Sequence, residues 1–383
     1  MRLRHPDGQL VHLSYCTNVH AAEDFAGILD QLDTYAVPIR ERLGADVLGL
    51  GLWLAAPVAA GLAADVAGRQ RLRRELDARG LEVVTLNGFP YQAFQAPVVK
   101  YAVYQPDWTT AQRLAYTLDL AVVLDDLLPA DAARGSISTL PLAWRDPWNA
   151  ARAADCRHNL DELARSLALM DRQIRVAFEP EPGCVIENTA QAAALLAGID
   201  TTRLGVCLDL AHLACSWEEP AEALRNLAGA GLPIVKVQVS AALASADPRA
   251  DAAVLGEYVE PRFLHQTRGP LGLSTDDLDQ ALAVPGGGDQ PWRVHYHVPL
   301  HAPPVPPLQT TVGVLAESLR LLAGGPEALC DHFDVETYTW HVLPPTSRPR
   351  TPAELAAGIA SELFFARAQL TALGLTVHQG VTP

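Results

Sequence analysis

The sequence lacks the closely spaced cysteine pairs that hold structural zinc or build a disulfide framework. Its six cysteines are spread over 383 residues without a CxxC pair, which is typical of reduced thiols in the cytoplasm. Basic residues are also scarce, since 29 Lys and Arg face 44 Asp and Glu, for a formal net charge of -15. A charge of that sign repels phosphate backbones. We therefore expect a cytoplasmic protein that does not bind nucleic acid.

Long apolar runs and nucleotide-binding glycine turns are missing as well. A membrane helix needs ~18 to 20 uninterrupted apolar residues, and the most apolar segment, residues 48–68, is broken by Pro57, Asp65 and several glycines. No apolar region with a cleavage site follows the first residues, so no secretory signal is expected. Neither GxGxxG nor GxxxxGK[ST] follows the first predicted strand, which weighs against an open nucleotide-binding sheet.

What the sequence does contain is an alternation of strand-length apolar runs with longer amphipathic segments. Hydrophobic residues make up 49% of the chain, enough for a large core. The strand candidates are LVHLSYC, DVLGLGLWL, EVVTLNGF, SISTLPL, IRVAFEPEP, RLGVCLDLAH, PIVKVQVSA and HFDVETY. Eight strands separated by helices are the count for an α/β protein with a closed (β/α)8 TIM barrel. We expect one domain over residues 1–383.

The stretch 241–307 does not follow the strand-helix alternation. It contains a short helix candidate, a glycine-rich loop, the strand-like run RVHYHVPLH and a proline-rich return, HAPPVPPLQ. Long loops inside compact domains are usually functional. We interpret it as an elaborated loop inserted between strands seven and eight.

Polar side chains concentrate where the last four predicted strands end, which is where barrel active sites lie. The residues concerned are Glu179 and Glu181 after strand five, Asp209 and His212 after strand six, Lys236, Gln238 and Ser240 on strand seven, and Asp334 and Glu336 on strand eight. Converging carboxylates repel one another unless a positive charge lies between them. A divalent cation is the simplest such charge.

The predicted metal ligands are Glu179, Asp209, Gln238 and Glu336. His212 is either a further ligand or a group that polarises the substrate. Carboxylate and amide oxygens with at most one imidazole suit Mg²⁺ or Mn²⁺, and Zn²⁺ or Co²⁺ remains open. Each motif alone has an ordinary structural reading, since Asp-x-x-His is often a helix cap. The metal interpretation depends on their matching positions on successive strands.

Further residues near the predicted strand ends are candidates to bind substrate. They are His20, Asn87, Glu181, Lys236, Arg262, Arg268, His295 and His297. The two arginines could hold a phosphate or carboxylate, because guanidinium groups bind such anions bidentately. His295 and His297 alternate on one strand face and could instead add a metal ligand.

The motifs FEPEPG, CLDLAHLA, KVQVSAA and DVETY together resemble those of the xylose isomerase-like barrel superfamily, which includes sugar isomerases, sugar epimerases and the endonuclease IV group. The resemblance implies metal ligands at Glu179, Asp209 and Glu336, with His212 beside them. Gln238 stands where the superfamily more usually has a histidine. The motifs LSYCTNVH, LEVVTLNGFPY and VVKYAVYQPDW look more closely like those of its EboE group, described as metabolite traffic proteins.

The resemblance implies a divalent-metal-dependent isomerase or epimerase acting on a small polyol- or sugar-like metabolite, in a pathway of metabolite export or traffic. Glu179 and Glu336 would remove and return a proton, and His212 would polarise a substrate oxygen. Two alternatives stay open: a non-catalytic metabolite-binding protein, and a metal-dependent hydrolase on the same barrel. The sequence leaves the oligomeric state open.

Overall fold

Eight parallel strands close into a barrel, as the alternating pattern predicts. The computed structural model of the protein describes residues 1–378. Each strand pairs with the next along the chain, and β8 pairs with β1 to close the barrel. The strands are β1 Leu10–Cys16, β2 Leu48–Trp53, β3 Leu81–Asn87, β4 Gly135–Thr139, β5 Ile174–Phe178, β6 Leu204–Asp209, β7 Ile234–Val239 and β8 His332–Val335. The predicted TIM barrel is confirmed.

Helices surround the barrel, and polar side chains cap several of them. Thr110, Asn149 and Thr351 each accept a hydrogen bond from a backbone N–H of the first helical turn, which satisfies a donor that the helix itself leaves free. The helices are Phe25–Gln31, Val37–Arg42, Ala56–Ala64, Val66–Asp77, Ala111–Leu127, Ala150–Ala168, Thr189–Leu195, Leu210–Cys215, Pro220–Gly229, Ala252–Leu255, Leu278–Ala283, Val312–Ala323 and Pro352–Ala372. None within residues 1–378 is long and apolar enough to cross a membrane.

The first amphipathic segment differs from a single regular helix. The α-helix Phe25–Gln31 passes into a π-helical turn over Leu32–Ala36 before the α-helix Val37–Arg42 begins. Pro38 supplies the physical reason, because it has no N–H to donate to the carbonyl four residues earlier. The chain accommodates the missing bond by widening one turn.

Between β7 and β8 the chain builds a second sheet of five short strands. In spatial order they are Ser274–Thr275, Thr267–Arg268, Trp292–His297, Ala242–Ser245 and Gln309–Thr310. The predicted strand-like run RVHYHVPLH supplies the central strand, Trp292–His297. The His297 ring bonds to the Glu336 carbonyl, and the Thr339 hydroxyl donates to the His297 carbonyl. These contacts hold the second sheet against the chain that follows β8.

Lys236, predicted to contact substrate, lies inside the barrel instead. Its Nζ is 2.9 Å from Asp334 Oδ2 and both side chains are fully buried, while Ser14 donates to Asp334 Oδ1 at 2.7 Å. Gly51 leaves room for the carboxylate, since a Cβ there would lie 1.9 Å from Asp334 Oδ2. The strand alternation puts Lys236 one pleat deeper than Gln238, so its ammonium neutralises Asp334 and does not line the cavity at the barrel mouth.

Replacing this lysine should destabilise the barrel. We expect Lys236→Met to lower the free energy of unfolding by about 3–5 kcal/mol, because Asp334 is left charged and unpaired in the interior. Urea unfolding measures the change. Lys236→Met with Asp334→Asn should recover much of the loss, and Arg320→Met, at an exposed pair with Glu317, should change stability little. A single variant as stable as the native chain would show that the pair is not needed.

Candidate metal centre

Three carboxylates stand where β5, β6 and β8 end. Glu179 follows the last residue of β5, Asp209 is the last residue of β6, and Glu336 follows the last residue of β8. Their exposed fractions are only 3%, 1% and 4%. Parallel strands bring their carboxyl ends to one mouth of the barrel, so three residues far apart in sequence face one space.

Asp209 serves both as a helix cap and as a free oxygen donor. Its Oδ1 accepts hydrogen bonds from the backbone N–H of Ala211 at 2.8 Å and of His212 at 2.9 Å, and from the Ser240 hydroxyl at 2.8 Å. This capping role explains why a strand passes directly into the helix Leu210–Cys215 at this residue. Its Oδ2 is buried and has no hydrogen-bond partner among residues 1–378.

The other two carboxylates also have oxygens that are free to bind a ligand. Glu336 Oε1 accepts hydrogen bonds from the side-chain amides of Asn18 at 2.8 Å and Asn87 at 2.9 Å, which orient the carboxylate. Glu179 Oε2 is buried without a hydrogen-bond partner in the described chain. Buried oxygens without partners are unfavourable unless a ligand meets them.

His297 of the second sheet completes the group. Its Nδ1 lies 2.9 Å from the Glu336 carbonyl oxygen, which can only accept, so Nδ1 carries the proton and Nε2 offers a lone pair. That Nε2 is 3.9 Å from Asp209 Oδ2 and has no hydrogen-bond partner within residues 1–378. The sequence placed His297 among the substrate contacts. In the sequence, the alternation of His295 and His297 in RVHYHV already indicates that His297 could be a metal ligand.

Gln238, the predicted amide ligand, lies in the barrel interior on the same strand face as Lys236 and Ser240. It is fully buried, and neither its Oε1 nor its Nε2 has a hydrogen-bond partner in the described residues. An amide in this state is available to a ligand. Its role at the centre remains a prediction.

The donor set fits a divalent cation. Ligand atoms of Glu179, Asp209 and His212 lie within 4.8 Å of one another, and so do those of Asp209, His297 and Glu336. The free atoms are carboxylate oxygens and imidazole nitrogens, which bind Mn²⁺, Mg²⁺, Zn²⁺ and Co²⁺. The two groups share Asp209, so a cation bound there would meet the unpartnered oxygen of Asp209 together with ligand atoms from either group.

Burial and mutual repulsion shift the pKa values of the three carboxylates. Burial raises the pKa of Glu336 to about 8, and the neighbouring charge of Asp209 adds to the rise. Burial, with Glu336 and Asp209, raises the pKa of Glu179 well above its usual range. Burial opposes ionisation of Asp209 too, but His212, His297 and its hydrogen bonds hold its pKa below the usual value. Burial and mutual repulsion therefore disfavour simultaneous ionisation of all three carboxylates unless a counter-charge lies between them.

Two histidines meet beside the carboxylates. His212 Nδ1 is 3.0 Å from the Pro180 carbonyl oxygen and His295 Nδ1 is 2.7 Å from Gln266 Oε1, so both Nδ1 atoms donate. Their Nε2 atoms are then lone-pair carriers, yet they stand 2.9 Å apart. Burial lowers the pKa of His212 to about 4 and that of His295 well below its usual range. Facing lone pairs of neutral rings need a shared proton or a cation between them.

The remaining predicted substrate contacts divide into two groups. Asn87, Glu181 and His295 line a cavity above the carboxylates, together with His212. Glu181 accepts a hydrogen bond from the Tyr104 hydroxyl at 2.6 Å, and burial raises its pKa to about 8.

His20, Arg262 and Arg268 do not line this cavity. His20 is buried behind it, with Nε2 3.2 Å from the Tyr15 hydroxyl. Arg262 donates to Gln95 Oε1 at 2.9 Å. Arg268 donates to Glu187 at 2.7 Å and to the Thr275 carbonyl, because it belongs to a strand of the second sheet that faces this acidic partner.

Comparison with known proteins agrees with the barrel and its strand ends. The family model described as "Xylose isomerase-like TIM barrel" matches residues 41–272. The chain belongs to this family. No curated protein sequence matches it.

Three solved structures share the family fold across nearly the whole chain. An IolI protein with a bound zinc atom is 12% identical, with a TM-score of 0.53, and the match covers 94% of this chain and 99% of that one. D-allulose 3-epimerase from Methylomonas sp., in complex with D-allulose, is 12% identical, with a TM-score of 0.51 and coverage of 96% and 100%. L-ribulose 3-epimerase is 13% identical, with a TM-score of 0.51 and coverage of 95% of both chains. At these identities the likeness establishes the fold alone.

The free donor atoms predict which residues bind the cation. Asp209→Asn and His297→Ala should each weaken Mn²⁺ binding by at least about tenfold, because each removes a ligand atom. Calorimetric titration of the metal-free protein measures this, with elemental analysis of the purified chain. Glu317→Gln, at an exposed helix position, is the control and should bind Mn²⁺ as the native chain does. Unchanged affinity in His297→Ala would remove His297 from the ligand set.

The raised pKa values predict a pH dependence of metal stabilisation. The pKa of Glu336 rises from 4.5 in a free side chain to about 8 in the metal-free fold, so the fold keeps a proton that the unfolded chain has released. This contribution to stability is complete below the unfolded pKa and is lost as the pH rises through the folded one. We expect the increase in Tm on adding Mn²⁺ to be larger at about pH 8.5 than at about pH 6, in calorimetry under nitrogen. An equal or smaller increase at the higher pH would contradict this.

Proposed function

We propose that the protein is a divalent-metal-dependent isomerase or epimerase acting on a small polyol- or sugar-like hydroxy carbonyl compound. The observation that carries the proposal is that two buried groups of ligand atoms, Glu179–Asp209–His212 and Asp209–His297–Glu336, share Asp209, whose Oδ2 has no hydrogen-bond partner in the described chain. The family fold, which the epimerase structures share, agrees with this assignment. The substrate of those proteins is not carried over.

In this proposal, Glu179, Asp209, Glu336 and His297 hold the cation, and Gln238 is available beneath them as a further ligand. The cation is Mn²⁺, Mg²⁺, Zn²⁺ or Co²⁺. When bound, it supplies Lewis-acid polarisation of a substrate carbonyl.

Glu179 and Glu336 are the proposed proton carriers. They come from β5 and β8 on different sides of the mouth, so one can remove a proton from the substrate carbon and the other can return it. The amides of Asn18 and Asn87 hold Glu336 Oε1 in place, which leaves its second oxygen for this exchange.

His212 takes a narrower role than the sequence suggests. Because its Nδ1–H donates to the Pro180 carbonyl, the neutral ring presents a lone pair at Nε2 and cannot donate from that atom. In the proposed mechanism it accepts a hydrogen bond from a substrate hydroxyl or binds the cation. Polarising a carbonyl would require a second proton on a ring whose pKa burial lowers to about 4.

The whole chain acts as one unit in this proposal. The inserted segment 241–307 provides His295 and His297, so the centre is incomplete without it. A role in metabolite export or traffic, of the EboE type, is the proposed context on the strength of the sequence motifs alone.

One observation favours a second candidate, a metal-dependent hydrolase. Ring nitrogens of His212, His295 and His297 lie within 4.8 Å of one another. If Glu179, Asp209 and Glu336 alone hold the first cation, the three rings could hold a second one, and paired cations are typical of hydrolytic sites. Metal content separates the two functions: one ion per chain supports the isomerase, and two ions with hydrolysis of a phosphoester or amide support the hydrolase.

Exchange of substrate hydrogen with solvent tests the isomerase directly. The Mn²⁺-loaded protein in D₂O should incorporate deuterium at the carbon beside the carbonyl of 2-hydroxy ketones, followed by mass spectrometry. Glu336→Gln should lower the exchange rate by at least about 100-fold, because the proton carrier is lost, and Glu317→Gln should not. Metal content of each variant is measured in parallel. Metal bound without any exchange would favour a metabolite-binding protein, and full exchange by Glu336→Gln would refute its assigned role.

A further inference from the structure

We propose that the substrate is uncharged and carries an apolar group beyond its hydroxy carbonyl end, so that it is not a phosphorylated or fully hydroxylated sugar. This inference rests on the proposed function and concerns the cavity directly above the metal centre. We base it on the separation of polar and apolar residues along the cavity and on the ion pair that neutralises the lysine among its described lining residues.

The cavity has a floor that carries residues of the metal centre and a wall that is largely hydrocarbon. Asn18, Glu179 and Glu336 line the floor, whereas the wall is formed by Phe89, Phe94, Val99, Val103, Phe263 and Leu264. The space amounts to about 500 Å³, part of it open to solvent. A ligand that reaches the centre with its oxygens must place its other end against this wall.

Aromatic rings give the wall a fixed shape. The ring centroids of Phe94 and Phe263 are 5.2 Å apart, those of Phe94 and Tyr338 5.4 Å, and those of Phe263 and Tyr338 4.8 Å. All three side chains are at least nine-tenths buried. The rings brace one another, so an entering hydrocarbon group meets a preformed apolar surface.

The polar groups near the wall are already used. Asn87 Oδ1 accepts from the Phe89 N–H at 3.0 Å, and the Tyr104 hydroxyl donates to Glu181 while it accepts from Gln266. Asn18 Oδ1 is buried and unpartnered in the described chain, and together with the Nε2 lone pair of His212 it can meet hydroxyls near the floor. Hydroxyls placed against the apolar wall beyond these groups would be buried without partners, which is unfavourable.

The cavity also lacks a free cation for a phosphate. Lys100 is the one lysine or arginine among its lining residues. The Lys100 ammonium donates to the carbonyls of Glu260 at 3.2 Å and Phe263 at 2.7 Å and pairs with the Asp277 carboxylate. Phosphate recognition uses unneutralised Arg or Lys. Here the Asp277 carboxylate already neutralises the Lys100 ammonium.

Binding of a graded ligand series tests the inference without measuring turnover. The full chain loaded with Mn²⁺ is titrated by calorimetry with acetohydroxamate, hexanohydroxamate and octanohydroxamate, whose common head chelates divalent metals. Phosphonoacetohydroxamate is the charged member. We expect affinity to rise about three- to fourfold per added methylene until the chain leaves the cavity, and we expect the phosphonate to bind more weakly than acetohydroxamate.

Two variants test whether the apolar wall causes the gain in affinity per methylene. Phe263→Ala should reduce the gain per methylene while leaving acetohydroxamate affinity unchanged. Phe364→Ala is the control, because this ring is 58% exposed on the outer helix Pro352–Ala372 and does not line the cavity. If Phe263→Ala does not fold, the series on the native chain still decides.

The outcomes separate this inference from the function on which it rests. Acetohydroxamate that binds only with Mn²⁺ present, with affinity flat along the series or highest for the phosphonate, would overturn the apolar substrate and leave the metal centre standing. A chain that binds no Mn²⁺, or no acetohydroxamate when loaded, would overturn both.

Discussion

Three carboxylates are buried at one mouth of the barrel, and no lysine or arginine of the described chain neutralises them. Glu179, Asp209 and Glu336 form no ion pair with any Lys or Arg within residues 1–378; their charged-type contacts are with His212 and His297. The interior does hold a lysine, Lys236, but Asp334 neutralises it one layer below. Charges buried together are tolerated only around a counter-charge, and the centre is arranged to receive one.

The barrel and the second sheet contribute unequally to that arrangement. The parallel strands bring the carboxylates together and the helix that starts at Asp209 holds one of them, so the barrel alone builds the acidic part. The imidazole part comes from the strand Trp292–His297, which is not a barrel strand. Glu362 supports the junction from the outside, since it accepts hydrogen bonds from the Leu300 N–H, the Thr337 hydroxyl and the Trp340 indole. The inserted segment is thus tied to the chain that carries Glu336.

The polar and apolar residues of the cavity come from different parts of the fold. The floor is made of strand ends, where side chains that face the barrel mouth are polar. The wall comes from loops after β3 and from the inserted segment, whose apolar residues pack against Tyr338. The carboxylates and the apolar wall are therefore supplied by different parts of the chain, so the apolar residues could vary without changes to the carboxylates.

Much of this could be predicted from the sequence because it depends on local periodicity. The two-residue alternation of strands and the position of strand ends placed Glu179, Asp209 and Glu336 at one mouth, and eight βα units predicted the closed barrel. Periodicity could not show that Lys236 pairs with Asp334, that Arg268 pairs with Glu187, or that His297 stands beside the carboxylates. The first contact joins the barrel strands β7 and β8, and the other two form where the second sheet packs against the barrel. Local periodicity is enough to show which strands end in acid, whereas contacts between distant segments decide which of those acids find a partner in the chain and which do not.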